Sequence, residues 1–248
     1  MSDSGRGERR RGLLYGRRKG PKLSAHQAKL VANLLPQLKL LLAPNLDPSM
    51  SFNSRIDEVW LEIGFGSGEH LLWQAEHHPH VGIVGAEAYE GGIARLLSRL
   101  VAAPGGSQTL ASRIRIHDGD ARDILEALPE ACLGRAFILF PDPWPKTRHH
   151  KRRFVQTETL DALARVLQDG MQLRFASDDP GYVAWTLERV MAHEFFVWTA
   201  ERERDWHVRP ADWPPTRYEQ KALHGVPVFL TFQRRPRQGL QCETAERK

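Results

Sequence analysis

Four acidic side chains follow short apolar runs in this chain of 248 residues: Glu62 in LEIGFGSG, Glu87 in VGAEA, Asp120 in HDGDA and Asp142 in FPDPWP. Each alone reads as a helix cap or a surface acid. Together they describe a ligand. Glu62 stands just before Gly64, Gly66 and Gly68, where a tight turn lets a ligand approach the backbone. A dinucleotide loop would place its last glycine three residues after the second, and here the interval is two. A pyrophosphate also favours helix N-terminal amides and disfavours a neighbouring carboxylate. Glu87, about twenty residues further on, occupies the place where an acid holds a ribose diol. Asp120 is suited to accept from an adenine amine, although Asp118, two residues earlier, competes for that role.

The segment Phe137-Ile138-Leu139-Phe140-Pro141-Asp142-Pro143-Trp144-Pro145-Lys146 is the most specific in the chain. Proline fixes φ and cannot extend a strand ladder, so the turn is stiff and presents Asp142 at a strand end. Trp144 reads most simply as packing. Residues 146–153 then run KTRHHKRR, with five permanent positive charges, two histidines and no acid. Such a run is often only a solvated face. Directly after a rigid acid at a strand end, it instead puts phosphate-binding groups beside catalytic ones.

These side chains need a scaffold that brings successive strand ends to one edge. Apolar runs are expected as strands at 59–63, 81–86, 113–117, 136–140, 171–176, 195–199 and 226–232. Helical patterns fall at 70–75, 91–101, 121–128, 157–167 and 181–192. Alternation of this kind predicts an α/β fold, a mostly parallel seven-stranded sheet with helices on both faces. Ligands of such sheets bind at the carboxyl ends of the strands. Ahead of it, Ser24 is a plausible N-cap for a helix over 24–43, and Pro44 and Pro48 mark a linker. The expected organisation is a disordered basic tail over 1–22, one domain over 23–236 whose first part, 23–54, is the N-terminal helix and linker, and a flexible C-terminal tail over 237–248.

Three strand-end carboxylates with glycines fit S-adenosylmethionine, which carries a ribose, an adenine, an ammonium and a sulfonium but no phosphate. The combination resembles the Rossmann-like class I S-adenosylmethionine-dependent methyltransferases. Within them, residues 141–153 resemble the bacterial tRNA (guanine-N7-)-methyltransferases nearly residue for residue. The likeness extends to Phe175-Ala176-Ser177-Asp178 and to Thr216-Arg217-Tyr218-Glu219, and covers roughly residues 55–235. It implies S-adenosylmethionine as methyl donor and a guanosine of the tRNA variable loop as acceptor. It also implies that Glu62, Gly64, Gly66, Gly68, Glu87 and Asp120 bind the cofactor, and that Asp142 is both at the cofactor and catalytic. Lys146, Asp178, Thr216, Arg217, Tyr218 and Glu219 would face the substrate, and Arg148, His149, His150, Lys151, Arg152 and Arg153 the RNA. Asp179 is a departure that adds a negative charge beside Asp178.

Guanine N7 carries a lone pair and no proton, so methylating it requires alignment and charge complementarity rather than a base. Asp142 is the first candidate for the complementary charge. Asp178 or Glu219 suits guanine N1–H and its exocyclic amine, and Thr216 and Tyr218 suit the base or ribose. Other readings fit less well. A methyltransferase acting on an exocyclic amine usually has two prolines after its polar residue, and here one proline separates Asp142 from Trp144. A dehydrogenase conflicts with Glu62 and the glycine interval. A non-catalytic RNA-binding module would have no use for the glycines and acids.

Composition agrees. The net charge is +5, and residues 1–22 hold eight basic and two acidic groups, leaving 27 basic and 28 acidic in the rest. The cluster at 146–153, rather than bulk charge, therefore carries the expectation of tRNA as partner. Two distant cysteines, Cys132 and Cys242, exclude a disulfide framework and suit a reducing cytoplasm. The histidines, among them His77, His78 and His80 in an exposed loop, suggest no metal. No apolar run approaches the roughly 20 residues of a membrane span. The sequence does not fix the oligomeric state, although a monomer is slightly favoured.

Overall fold

A computed structural model describes residue 18 and residues 20–44, 46–103 and 107–237. The expected terminal tails lie mostly outside these. In chain order the elements are helices α1 (Ala25–Asn33) and α2 (Leu35–Leu38), strand β1 (Glu58–Ile63), α3 (Glu69–His77), β2 (Val81–Ala86), α4 (Glu90–Ala102), α5 (Ser107–Ala111), β3 (Ile114–His117), α6 (Ala121–Ala127) and β4 (Leu133–Leu139). A 3-10 turn at Thr147–Arg152 is followed by α7 (Thr157–Val166), β5 (Leu167–Ser177), α8 (Pro180–Met191), β6 (Phe196–Trp198), α9 (Arg204–His207), α10 (Arg217–Lys221) and β7 (Val228–Arg234).

The seven strands form one sheet in the order β3-β2-β1-β4-β5-β7-β6. β1 to β5 are parallel, and β7 lies antiparallel between β5 and β6. Successive side chains of a strand point to opposite faces, and β1 shows it: Val59, Leu61 and Ile63 join one apolar cluster with α6, α7 and α8, while Trp60 joins another with α3 and α4. The strand order reverses between β1 and β4, the switch point where such sheets open a crevice. Ile63 of β1 and Ile138 of β4 are register partners at that point.

The N-terminal helix differs from expectation. Ser24 is its N-cap, in a capping box with Gln27, but the helix stops at Asn33 because Pro36 starts a second, short helix. The chain then runs alongside the sheet edge, with the Leu40 amide donating to the Ile116 carbonyl. The body also extends past 236. Arg237 donates to the Arg165 and Leu167 carbonyls at 2.6 and 3.0 Å and pairs with Asp169, so it is tied to the α7–β5 junction.

Candidate active site

At the carboxyl edge a cleft of about 390 Å³ opens across the switch point. Its floor is Ile63, Gly64 and Gly66 after β1 and Ala86 and Glu87 after β2. Its far wall is Gly119 and Asp120 after β3, and its near wall is Phe140, Pro141, Asp142 and Trp144 after β4. Tyr89, Arg122, Arg152, Phe154 and Tyr218 also line it.

The glycine loop adopts left-handed backbone at Gly64, Gly66 and Gly68, with φ of 73°, 58° and 75°. Only glycine accepts this without cost. The three differ in what they serve. Gly64 and Gly66 expose backbone to the cleft, whereas Gly68 is the N-cap of α3, where a Cβ would stand 2.4 Å from Leu96 Cδ1. Gly68 thus closes the helix onto α4 and does not line the cleft.

Glu87 is anchored with both oxygens: Gly66 N donates to Oε2 at 2.7 Å and Tyr89 N to Oε1 at 2.8 Å. Burial pushes its carboxyl above the ordinary value, against the backbone hydrogen bonds that pull it down. The two aspartates after β3 have different surroundings. Asp118 is paired with Lys39 at 2.8 Å, while Asp120 caps α6 through the Arg122 amide, pairs with the Arg122 guanidinium at 3.3 Å and stands in the lining.

Glu62 is a correction. The sequence reading puts its carboxylate at the cofactor, but the side chain lies on the opposite face of β1 from Ile63, is buried, and does not line the cleft. Its Oε2 is 2.8 Å from His70 Nδ1. His70 Nε2 in turn meets the Gln74 amide, which also donates to the Asp212 carbonyl at 2.8 Å. That second bond identifies the Gln74 atom as nitrogen. His70 Nε2 is therefore the acceptor and Nδ1–H donates to Glu62. Glu62 supports the glycine loop from behind.

The proline turn is strained where the glycine loop is not. Phe140 and Trp144 have φ of 49° and 47°, a left-handed backbone that is a true outlier for bulky residues and costs on the order of 1–3 kcal/mol each. Its surroundings hold it. Phe140 N donates to the Ala176 carbonyl at 2.7 Å, and Arg153 Nε donates to the Pro143 carbonyl at 2.8 Å. Asp142 projects at the rim, exposed, and partial loss of solvent there raises its carboxyl above the usual aspartate value.

The basic run divides into three. Lys146, Arg148 and Lys151 are exposed to solvent on the 3-10 turn. Arg152 lines the cleft, its guanidinium 4.8 Å from the centroid of Trp144. Arg153 is the second correction. At 4% exposure it is an internal strut, bonded to the Pro143 and Gly181 carbonyls and stacked over Tyr182 and Trp185, and it cannot face RNA. His150 also turns inward, packing on Trp185 at 5.1 Å. His149 stands edge-on to Trp144. Partial burial, and then the cations Arg152, Arg148, Lys146 and Lys151, hold its imidazole below the ordinary value.

Of the late segment, only Tyr218 reaches the cleft. A Cβ on Gly66 would lie 3.0 Å from the Tyr218 ring. Burial, and then the negative charge of Glu87, raise its phenol above the ordinary value. Thr216 and Glu219 instead form the capping box of α10, and Glu219 is paired with Arg209 at 2.7 Å. Arg217 is exposed. Asp178 follows β5, does not line the cleft and accepts from the His224 amide at 3.1 Å. Asp179 caps α8 through the Tyr182 amide, which explains the extra acid. The sequence reading missed Tyr89, Phe140, Arg122 and Phe154 as lining residues, and it took Trp144 for packing. Only the position of Phe140 and Trp144 around Pro141 and Pro143 was a usable signal.

A family model described as "Putative methyltransferase" matches residues 57–229. A tRNA (guanine-N(7)-)-methyltransferase of Rhodospirillum rubrum is 50% identical over 230 residues, covering 90% of this chain and 88% of the relative. The chain belongs to the tRNA (guanine-N7-)-methyltransferase family. A second member, from Paramagnetospirillum magneticum, is 44% identical and covers 95% of this chain and 98% of its own length. Among solved structures, the 16S rRNA methyltransferase KamB aligns with a TM-score of 0.52 at 16% identity, over 80% of this chain and 98% of that one. That likeness establishes the class I methyltransferase fold. No helix among the described residues is long and apolar enough to cross a membrane.

Proposed function

We propose that this member of the tRNA (guanine-N7-)-methyltransferase family transfers a methyl group from S-adenosylmethionine to N7 of a guanosine in the tRNA variable loop. The observation that carries this reading is the continuity of one cleft. A glycine loop flanked by Glu87 and Asp120 runs into a strained turn that presents Asp142 and ends in exposed cations. The lining suits the cofactor chemically. Gly64 and Gly66 offer bare backbone, Glu87 suits a ribose diol, Asp120 an exocyclic amine, and Asp142 a sulfonium. Bound there, S-adenosylmethionine supplies an electrophilic methyl group whose positive charge passes to the base on transfer.

The protein's own groups then do three things. Asp142 supplies fixed negative charge where the base becomes cationic. Lys146, Arg148 and Lys151 hold phosphates, a salt-dependent interaction. Asp178, at the next strand end, accepts from guanine N1–H and its amine, which separates guanine from adenine. A tRNA substrate supports the expectation of a cytoplasmic enzyme.

The test is incubation with unmodified tRNA and labelled S-adenosylmethionine, followed by nucleoside analysis. The expected product is 7-methylguanosine at a variable-loop position. A label on an exocyclic amine, or none, would overturn the reading.

A further inference from the structure

Trp144 is a large aromatic side chain at the rim of the cleft. It is half-buried, it belongs to neither apolar cluster, and its backbone is left-handed. Arg153, bonded to the Pro143 carbonyl, holds that unfavourable backbone in place. The ring is part of the cleft lining, which it shares with Asp142 two residues before it. Its face is already matched to a planar cation: the Arg152 guanidinium lies 4.8 Å from its centroid. His149 braces it edge-on at 5.9 Å and 89°.

A guanidinium and an N7-methylated guanine are both flat, delocalised cations. In the reaction proposed above, the N7 lone pair forms the new bond to the methyl carbon, the carbon–sulfur electron pair stays on sulfur, and the positive charge arrives on the purine. No proton leaves. An indole stacked on that purine gains attraction as the charge develops, and contact that strengthens along the reaction accelerates it. We propose that Trp144 is a catalytic platform: the target guanine replaces Arg152 on its ring, and the indole stabilises the charge that methylation creates. With Asp142 beside it, the site has an aromatic face and a carboxylate for one cation. The proposal rests on the N7 reading.

The experiment compares Trp144→Phe, Trp144→Leu and a series of fluorinated tryptophans placed at position 144 alone. Fluorination leaves the shape nearly unchanged and weakens the cation-binding face. Methyl transfer to tRNA is followed with kcat and KM separated, and 7-methylguanosine monophosphate and guanosine monophosphate are bound to protein carrying S-adenosylhomocysteine. The wild type is expected to prefer the methylated nucleotide by about tenfold. Trp144→Leu should erase that preference and lower kcat by about tenfold or more, with KM for S-adenosylmethionine unchanged. Trp144→Phe should fall between, and kcat should decline steadily along the fluorinated series.

A flat fluorinated series, an unchanged kcat in a folded Trp144→Leu, or a loss confined to KM for S-adenosylmethionine would overturn the platform. In that case the wild type would still make 7-methylguanosine. If the wild type makes none, the N7 reading itself fails.

Discussion

The two loops that form the cleft solve the same problem in opposite ways. The loop after β1 turns on Gly64 and Gly66, residues that enter left-handed backbone freely. The loop after β4 puts Phe140 and Trp144 into the same backbone and needs Arg153 and the Ala176 carbonyl to keep them there. The first is relaxed and could serve many ligands. The second is strained, braced from the interior, and carries the acid and the aromatic ring. Strain kept by surrounding contacts is the reason the proposed chemistry is assigned to this loop.

If the comparison holds, damage to the two loops differs in kind. The largest effect is expected at Asp142. Asp142→Ala should lower methyl transfer by about a hundredfold or more, the scale of losing a preorganised electrostatic group, while tRNA binding measured by filter retention largely survives. Full activity in that variant would remove Asp142 from the mechanism. Arg153→Ala attacks the brace. It leaves buried carbonyls without a charged donor, which should cost about 2–3 kcal/mol and lower Tm by several degrees in a thermal melt. Lys151→Ala, two residues away and exposed, should leave Tm unchanged and flatten the salt dependence of tRNA binding by about one unit of slope. Equal melts for the two variants would contradict the buried placement of Arg153.

The relaxed loop should respond more mildly. Gly66→Ala forces a Cβ into left-handed backbone and to 3.0 Å from Tyr218. It should cost about 1–2 kcal/mol and weaken S-adenosylhomocysteine binding in calorimetry more than it weakens tRNA binding. The smallest effect is in pH. Partial loss of solvent raises the Asp142 carboxyl, so the folded state holds its proton more tightly than the unfolded state. That group therefore lowers stability as pH rises from the ordinary aspartate value through the raised one. A bound sulfonium favours the ionised form, so cofactor affinity should increase over the same window. Asp142→Asn should flatten both curves.

Much of this site was legible before any fold was known, and the reason is local. Whether a residue follows a strand depends on the apolar run before it, so Glu87, Asp120 and Asp142 were assignable from their neighbours. The proline turn was equally plain because proline restricts its own backbone wherever it stands. What misled was the direction of side chains. Glu62 follows the same rule as Glu87 yet turns to the other face of its strand and to His70. Arg153 ends a run of cations yet turns inward to Pro143 and Gly181. Glu219 reads as a substrate ligand yet is spent on Thr216 and Arg209.

The order of residues alone was thus enough for the sheet and for the side chains gathered at its carboxyl edge, because strand alternation and turn residues act over a few positions. Which acids and cations actually face the cleft was a matter of packing. Tyr218 reaches the glycine loop across some 150 residues of chain, and Trp144 stays out of both apolar clusters because an arginine behind it holds the turn. Contacts between segments that distant arise only when the chain closes on itself, and no local pattern encodes them.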